Sequence, residues 1–350
     1  MNNSPTFGGQ SPTSAASPRT LHHLRDVPRQ VLSTSQLRAH GISAALTSER
    51  CRPGGPWQQV LPGVFLLHPG PPTSEERLHA VLLYAGRPSD TLVPPQPSYR
   101  DAVISGLAAL TLHGLVSAPP LPSLDRIDVL VPHARRTRST GCAHLVRTHA
   151  MPVPQDVTGL PVAPVARALA DAVGQLPDAG TVRRLLTEAV RGGHCEAAVV
   201  VRELTQARLL HLPHVVDAVD SLLEEGRAIA EDRLYDLVRT HGLPDPLWNV
   251  DLRLPGGPHL GGVDAFWPDQ GVAVELDTRG GDHGAGATGQ EQWSEVARKR
   301  EHLERSGITV VHLTPRKLRE APEQQVAVLG TALAEAAERD PASYLVVLPR

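Results

Sequence analysis

Three carboxylates in residues 262–277 have the types and spacing of a divalent-cation site. Glu275 and Asp277 alternate with the apolar residues of a run that has the two-residue period of a β-strand. The Pro-Asp-Gln-Gly sequence at 268–271 is typical of a turn, so we predict a hairpin with Asp264 directly opposite Glu275. Side chains opposed in this way have Cβ atoms about 5 Å apart. Like charges that close favour a bound cation, and hard carboxylate oxygens suit Mg²⁺ or Mn²⁺.

The elements that must position these acids can be predicted from the flanking sequence. A helical pattern covers residues 227–241, and a strand is predicted at 247–254 before the hairpin. A helix is predicted at about 290–305, a β-branched strand at 308–313, and a last helix from near Pro315. The predicted order is helix, three strands, helix, strand, helix. The alternative to a metal site is a solvated acidic face on an ordinary hairpin.

This order, together with Val-Asp-Ala-Phe-Trp-Pro at 263–268 and Val-Glu-Leu-Asp at 274–277, resembles the PD-(D/E)XK nuclease superfamily. It looks like the group of endonuclease domains of unknown function related to the very-short-patch repair endonucleases. Arg-Lys-Arg at 298–300 and Gly-Ile-Thr-Val-Val at 307–311 also match that group. The resemblance covers about residues 225–335 and implies a restriction-endonuclease-like α/β domain that hydrolyses phosphodiesters with Mg²⁺ or Mn²⁺. The chain departs from the pattern at Thr278, where the group has Gly.

The resemblance implies roles for four acidic residues. Asp264 and Glu275 would be the metal ligands of the hairpin. Glu231 lies on the apolar stripe of the preceding helix, where it is either a further metal ligand or a salt-bridged boundary residue. Asp277, a candidate catalytic residue, occupies the position where the superfamily often has Lys, so it is either a third ligand or a steering acid.

The basic helix after the acids supplies the candidate cations. Lys299 is one of only two lysines in the chain and is the candidate for a displaced catalytic Lys that stabilises charge on the phosphoryl group. Arg300 is the rival candidate for phosphate contact and is predicted nearer the centre of the apolar stripe. A solvated basic face is the alternative for both. His283 is a weaker candidate in the intervening loop.

A second cluster of candidate residues lies near the N-terminus. Residues 21–72 are predicted to form a winged helix-turn-helix, with helices at 21–31, 36–40 and 43–51 and a wing hairpin at 57–67. Arg38, Arg50 and Arg52 are the candidate DNA contacts. Ser-Gln-Leu-Arg-Ala-His-Gly-Ile at 35–42 and Pro-Gly-Val-Phe at 62–65 resemble the N-terminal domain of abortive-infection type IV antitoxins. A protein-docking winged helix is the alternative.

The rest of the chain is predicted to complete a multi-domain α+β protein. Residues 1–20 are predicted to be a disordered tail, residues 73–224 an antitoxin-like α/β middle region, and residues 225–340 the nuclease-like domain. Within the middle region, a helix is predicted at 103–115 and a strand at 125–131. The basic run 133–149 either extends a DNA footprint or is a solvated loop.

Composition limits the function classes. A net charge of −3 excludes a globally basic coat, so any DNA-binding surface must be local. The three scattered cysteines argue against a zinc ribbon or a disulfide framework and, with no signal-peptide or membrane-span pattern, predict a cytoplasmic protein with no membrane partner. The Arg-, Ala-, Gly- and Pro-rich composition suggests a GC-rich bacterial genome.

Two main functions are consistent with these patterns. The first is a metal-dependent DNA endonuclease targeted by the winged helix. The second is a DNA-binding regulator or antitoxin-like protein in which the nuclease fold is inactive. RNA as the substrate is a third, weaker alternative, and homodimer formation stays open.

Overall fold

The computed structural model describes residues 30–86, 99, 101–257, 259–278, 297–338 and 345–350. The predicted tail at 1–20, most of the predicted helix at 21–31, and His283 therefore lie outside the described residues. The chain is a mixed α and β protein that divides into two compact units. Among the described residues, 30–84 form the first unit and the remainder form the second. No helix in these described ranges is both long enough and apolar enough to cross a membrane.

The first unit combines short helices with a three-stranded sheet. Its elements are β1 (Val31–Ser33), α1 (Thr34–Ala39), α2 (Ala44–Arg50), β2 (Gln58–Leu61), β3 (Val64–Leu66) and α3 (Ser74–Ala85). The sheet order is β1-β3-β2, with antiparallel pairs. Val31, predicted to end a helix, instead begins a strand that pairs with β3. The predicted boundary at 72/73 precedes α3, whereas this unit continues through Tyr84.

Local sequence explains why the two short helices begin where they do. Ser33 caps α1 in a capping box, in which its hydroxyl accepts from the Gln36 backbone N–H and the Gln36 side chain accepts from the Ser33 N–H. Ser43 caps α2 with a single hydrogen bond, in which its hydroxyl oxygen accepts from the backbone N–H of Leu46. Between them, Gly41 has a φ of +78°, the left-handed conformation that ends a helix. The helix pair therefore follows the prediction closely.

The first part of the second unit is built on a five-stranded mixed sheet of order β6-β5-β4-β8-β7. Its elements are β4 (Val103–Ser105), α4 (Gly106–Leu112), a 3-10 turn (Leu121–Ser123), β5 (Ile127–Pro132), β6 (Ala143–Thr148), β7 (Gln155–Val157), β8 (Leu160–Val162), α5 (Val165–Val173), α6 (Ala179–Arg191) and α7 (Ala197–Gln206).

The structure corrects two predictions for this region in part. The helix predicted at 103–115 is present as α4 over 106–112, but residues 103–105 form a strand, because Val103 and Ile104 are β-branched and buried and Gly106 turns the chain with a φ of +60°. The basic run at 133–149 is not simply a loop, since residues 143–148 are β6. Within this run, Arg147 donates hydrogen bonds to the carbonyls of Arg135 and Thr137, so its guanidinium stabilises the local chain path.

The last part of the second unit carries the predicted acidic hairpin. Its elements are α8 (Pro213–Thr240), β9 (Leu247–Arg253), β10 (His259–Trp267), β11 (Val272–Leu276), α9 (297–305), β12 (Thr309–Leu313), α10 (Pro315–Glu320), α11 (Pro322–Ala337) and β13 (Val346–Pro349). The sheet order is β12-β11-β10-β9-β13, and only β11 and β12 are parallel. The predicted order of elements is present, with β13 as an added edge strand. The predicted boundary at 224/225 falls inside the continuous helix α8.

This sheet is covered on both faces. One core contains Leu234 of α8 together with Val272 and Val274 of β11, and the other contains Ala273 of β11 and Leu303 of α9. The two-residue alternation predicted for β11 thus places successive residues in different cores. The second core brings α9 onto the sheet face that includes Ala273, and this contact positions the basic helix near the acidic pair.

Candidate active site

The hairpin of β10 and β11 places Asp264 beside Glu275. Its turn occupies residues 268–271, as predicted, and pairs Trp267 with Val272 and Ala265 with Val274. Asp264 precedes Ala265 and Glu275 follows Val274, so the two acids flank this end of the paired segment. The backbone N–H of Leu276 donates to Oδ2 of Asp264 over 2.7 Å, which fixes the carboxylate against β11.

The strand β10 changes its packing at Asp264. Ala265, the next residue, belongs to one core, whereas Val263, the preceding residue, belongs to the other. Across the sheet, Asn249 of β9 has a φ of +49°, a conformation that costs a non-glycine residue about 1–3 kcal/mol. This irregularity interrupts the regular alternation of side chains, and it coincides with the acid that we predicted to bind metal.

Asp264 is buried and paired with a cation from α8. Its side chain is 9% exposed, and Nη2 of Arg227 lies 2.5 Å from Oδ1. Burial raises the pKa of Asp264, while the Leu276 hydrogen bond and the charge of Arg227 lower it and the nearby Glu231 and Glu275 raise it. Because burial dominates, the ionised carboxylate needs a compensating charge, which Arg227 supplies in part.

Glu231 joins the site through the same arginine. Nε of Arg227 donates to Oε1 of Glu231 over 2.8 Å, four residues further along α8. Arg227 thus connects Glu231 with Asp264, so Glu231 takes the salt-bridged position that was one of its two predicted alternatives. Arg227 was not predicted as a site residue. Its four-residue spacing from Glu231 in the sequence could have indicated this contact, because residues at that spacing can pair on one helix face.

Glu275 is paired with two basic side chains. Its carboxylate is 14% exposed and forms a short ion pair with Nζ of Lys299, while Nδ1 of His312 lies 3.5 Å from the other oxygen. The oxygen facing Lys299 is buried and has no partner with hydrogen-bond geometry among the described residues. Nζ of Lys299 also donates a hydrogen bond to the Gly262 carbonyl at 2.6 Å, so the ammonium group bridges Gly262 and Glu275. His312 was missed, although it stands beside Glu275 in the parallel β11–β12 register.

Lys299 reaches the site across a glycine. Gly261 has a φ of +117°, and a Cβ atom there would lie 2.5 Å from Cε of Lys299. Any side chain at this position would displace the lysine chain. The absence of a side chain at 261 therefore creates the path that leads the ammonium group to Glu275.

The remaining two predicted residues of this domain are Arg300 and Asp277. Arg300 points to solvent and pairs with Glu304 over 2.7 Å, so the prediction that it lies nearer the centre of the buried stripe was wrong. Residues four positions apart lie on the same face of a helix, so Lys299 shares a face of α9 with the buried Leu303 and Arg300 does not. Asp277 follows β11, and its backbone N–H donates to the Leu313 carbonyl.

The three N-terminal arginines belong to the first unit. Arg38 is exposed on α1, Arg50 is half-buried at the end of α2, and Arg52 is exposed just after it. Their side chains make no ion pair or hydrogen bond with any residue of the described ranges. Within the described ranges, no side chain competes with an external anion for these guanidinium groups.

The donor set of the acidic pair suits a divalent cation. No group of three or more His, Cys, Asp or Glu side chains that could hold a metal occurs in the part of the chain that the structure describes. Mg²⁺, however, is commonly held by one or two carboxylates, with water and substrate oxygens as its other ligands. Asp264 and Glu275 provide two neighbouring carboxylates, and a metal at Glu275 would compete with the Lys299 ammonium for the same buried oxygen.

Comparison with protein-family models and with curated proteins gave no match for this chain.

Proposed function

We propose that this chain is a metal-dependent endonuclease that hydrolyses phosphodiester bonds in DNA. The observation that carries the proposal is the buried Asp264 and the 14% exposed Glu275 on adjacent strands of one hairpin, with Lys299 of α9 in an ion pair with Glu275. A carboxylate pair with an adjacent lysine is the arrangement expected of a PD-(D/E)XK-type site. In this proposal the lysine is supplied by the following helix instead of by β11.

In this mechanism each residue of the site would have a separate role. Asp264 and Glu275 would hold Mg²⁺ or Mn²⁺, which supplies charge stabilisation and an activated water. Arg227 keeps Asp264 and Glu231 in place through its two hydrogen bonds. Lys299, anchored on the Gly262 carbonyl, is positioned to stabilise negative charge on the phosphoryl oxygens. Asp277 lies two residues beyond Glu275, where it would act as an outer acid.

The first unit would deliver the enzyme to DNA as a winged helix-turn-helix. Its two capped helices are followed by the hairpin of β2 and β3, which is the order of such a domain. Arg38, Arg50 and Arg52 have no partner among the described residues, which supports a role in phosphate contact.

A DNA-binding regulator with an inactive nuclease fold is the second candidate. The observation that favours it is that Arg227 and Lys299 already form ion pairs with Asp264 and Glu275 without a metal. Such a network would be stable as a structural element alone.

The deciding experiment is cleavage of supercoiled plasmid, linear duplex, single-stranded DNA and RNA by the purified full chain. We expect nicking of DNA with Mg²⁺ or Mn²⁺ and none with EDTA. Asp264→Asn and Glu275→Gln should each slow cleavage about 100-fold or more, because each weakens a metal ligand. Asp269→Asn, at an exposed position in the turn of the same hairpin, is the matched control and should keep full activity.

Loss of an ion-pair partner can also unfold a protein, so folding is measured in parallel. Glu275→Gln leaves Lys299 unpaired, which costs about 3–5 kcal/mol for a buried pair. The double variant Glu275→Gln with Lys299→Met removes both charges and should stay folded yet inactive. Tight duplex binding without cleavage under any metal would replace the nuclease with the regulator, and cleavage of RNA alone would change the substrate.

A further inference from the structure

A cavity of about 390 Å³ opens in the second unit beside the end of β11. Its walls come from α6, α7, α8 and α10, from the segments just before α7 and α10, and from the two residues that follow β11, Asp277 and Thr278. It is thus separate from the carboxylate pair but adjacent to it along the chain. Its volume is in the range of small-ligand sites.

The wall of this cavity is predominantly cationic. Four arginines line it, against the two carboxylates of Glu196 and Asp277, which leaves a net charge of +2 on the wall. The four are Arg202, Arg233, Arg316 and Arg319. Burial raises the pKa of the Cys195 thiol, also in the wall, to about 12, so it is uncharged at neutral pH. Four guanidinium groups around one cavity favour an anion.

The arginines of α10 are held in place by internal carboxylates. Nη2 of Arg319 lies 3.1 Å from Glu320 and 3.5 Å from Glu196, and Nε of Arg316 lies 2.8 Å from Glu320. The Glu196 oxygen that faces Arg319 is buried and has no hydrogen bond within the described residues. The Arg319–Glu196 pair is therefore a loose ionic contact, which an incoming anion could replace.

Arg233 provides the cation without an internal partner. Its side chain is half-buried in the cavity wall and makes no ion pair or hydrogen bond with the residues that the structure describes. Its charge acts on Glu196 only at longer range, where it lowers the pKa of that acid against the larger raising effect of burial. A half-buried guanidinium with no close partner among the described residues favours an external anionic ligand.

We propose that this cavity binds a phosphate group of the nucleic-acid strand cleaved at the acidic pair, with Arg233 and Arg319 as its main contacts. The inference rests on the proposed nuclease function. Asp277 in the cavity wall is two residues beyond Glu275, a separation of about 7 Å along an extended chain. Phosphates of one DNA strand advance about 3.4 Å each along the axis, so the cavity is within a few nucleotides of the scissile bond.

The test uses opposite charge changes in the same cavity. Binding of a fluorescein-labelled duplex is measured by anisotropy with Ca²⁺ in place of Mg²⁺. Arg233→Gln should weaken binding about 10-fold, the loss expected for one charge-assisted hydrogen bond. Glu196→Gln should strengthen binding, because it removes the carboxylate that competes for Arg319. Arg183→Gln, an exposed arginine of α6 outside the cavity, is the control and should change little.

Two further arms separate the sources of phosphate. A duplex with and without a 5′-terminal phosphate shows whether a chain end or an internal phosphate is bound, and inorganic phosphate is titrated alone by calorimetry. Unchanged affinity in both cavity variants, with cleavage intact in the parent protein, would overturn the cavity assignment and leave the nuclease standing. Arg233-dependent binding of inorganic phosphate without any nucleic-acid binding would overturn nucleic acid as the ligand, together with the proposed function.

Discussion

Lys299 can reach the site because residue 261, over which its side chain passes, is a glycine. Its aliphatic chain passes over Gly261, and its ammonium group ends between the Gly262 carbonyl and Glu275. The backbone of β10 therefore helps to determine where the positive charge sits. The geometry makes the role of the lysine testable without altering the lysine itself.

We predict that Gly261→Ala separates activity from folding. The new Cβ would lie 2.5 Å from Cε of Lys299 and must push the ammonium group away, so metal-dependent cleavage should fall at least about 10-fold. The φ of +117° adds strain of about 1–3 kcal/mol, measured by urea unfolding.

Gly256→Ala is the matched control for that prediction. Gly256 also has a positive φ, +65°, but a Cβ there meets nothing within 4 Å. It should carry a comparable backbone strain and keep its cleavage rate. Equal activity in the two variants would show that the path of Lys299 over residue 261 does not matter for function.

At the scale of elements, some features follow from local sequence and others depend on distant packing. The β10–β11 hairpin was predictable because its alternation and its Pro-Asp-Gln-Gly turn lie within a few residues of each other. The contact of Arg227 with Asp264 was not, since it joins a helix to a strand 37 positions away. Strand β4 was missed because a short run of small and apolar residues fits a helix or a strand equally well. Lys299 could not be ranked above Arg300, since the rotation of α9 depends on how Leu303 packs.

Helix α8 offers a second test at this scale. A Cβ at Gly226 would lie 2.9 Å from Cβ of Ala197 in α7, so the two helices approach closely at this point. Gly→Ala in a free helix stabilises by about 1 kcal/mol, but here the clash should dominate and destabilise by about 1–3 kcal/mol. Urea unfolding of Gly226→Ala measures the sign.

Gly330→Ala in α11 is its counterpart, because nothing lies within 4 Å of the new Cβ. That variant should be more stable by about 0.5–1 kcal/mol. Combining Gly226→Ala with Ala197→Gly should recover stability if the two Cβ atoms are the cause. If Gly226→Ala instead raised the free energy of unfolding, α7 and α8 would be able to move apart without loss of stability.

At the scale of the whole molecule, the chain carries basic groups in separate places despite its net charge of −3. One set, Arg38, Arg50 and Arg52, is in the first unit, and the other lines the cavity beside β11 in the second. The net charge excludes a globally basic surface. The fold is needed to show which arginines lie close together and which form ion pairs with carboxylates of the same chain. In this view binding and cleavage depend on different residues.

We predict that replacing Arg38, Arg50 and Arg52 together by Gln weakens duplex binding without changing the cleavage rate at saturating DNA. Each lost phosphate contact should reduce the salt dependence of log K by about 0.9, so the slope should fall by up to about 3. Anisotropy titrations at several salt concentrations measure the slope, and single-turnover cleavage measures the rate. A triple variant that binds as the parent does would remove the first unit from the DNA-binding surface.

The continuity of α8 also limits which changes in chain length the protein can tolerate. Gly226, Arg227, Glu231 and Arg233 lie on one uninterrupted helix, and they serve a helix contact, the acidic site and the arginine-lined cavity. Inserting or deleting one residue between 213 and 226 would rotate the start of the helix by about 100° relative to everything after it. The same change between 227 and 233 would rotate Arg227 of the acidic site by about 100° relative to Arg233 of the cavity. Length variation among descendants of this chain should therefore be confined to its loops, while α8 keeps a constant number of residues.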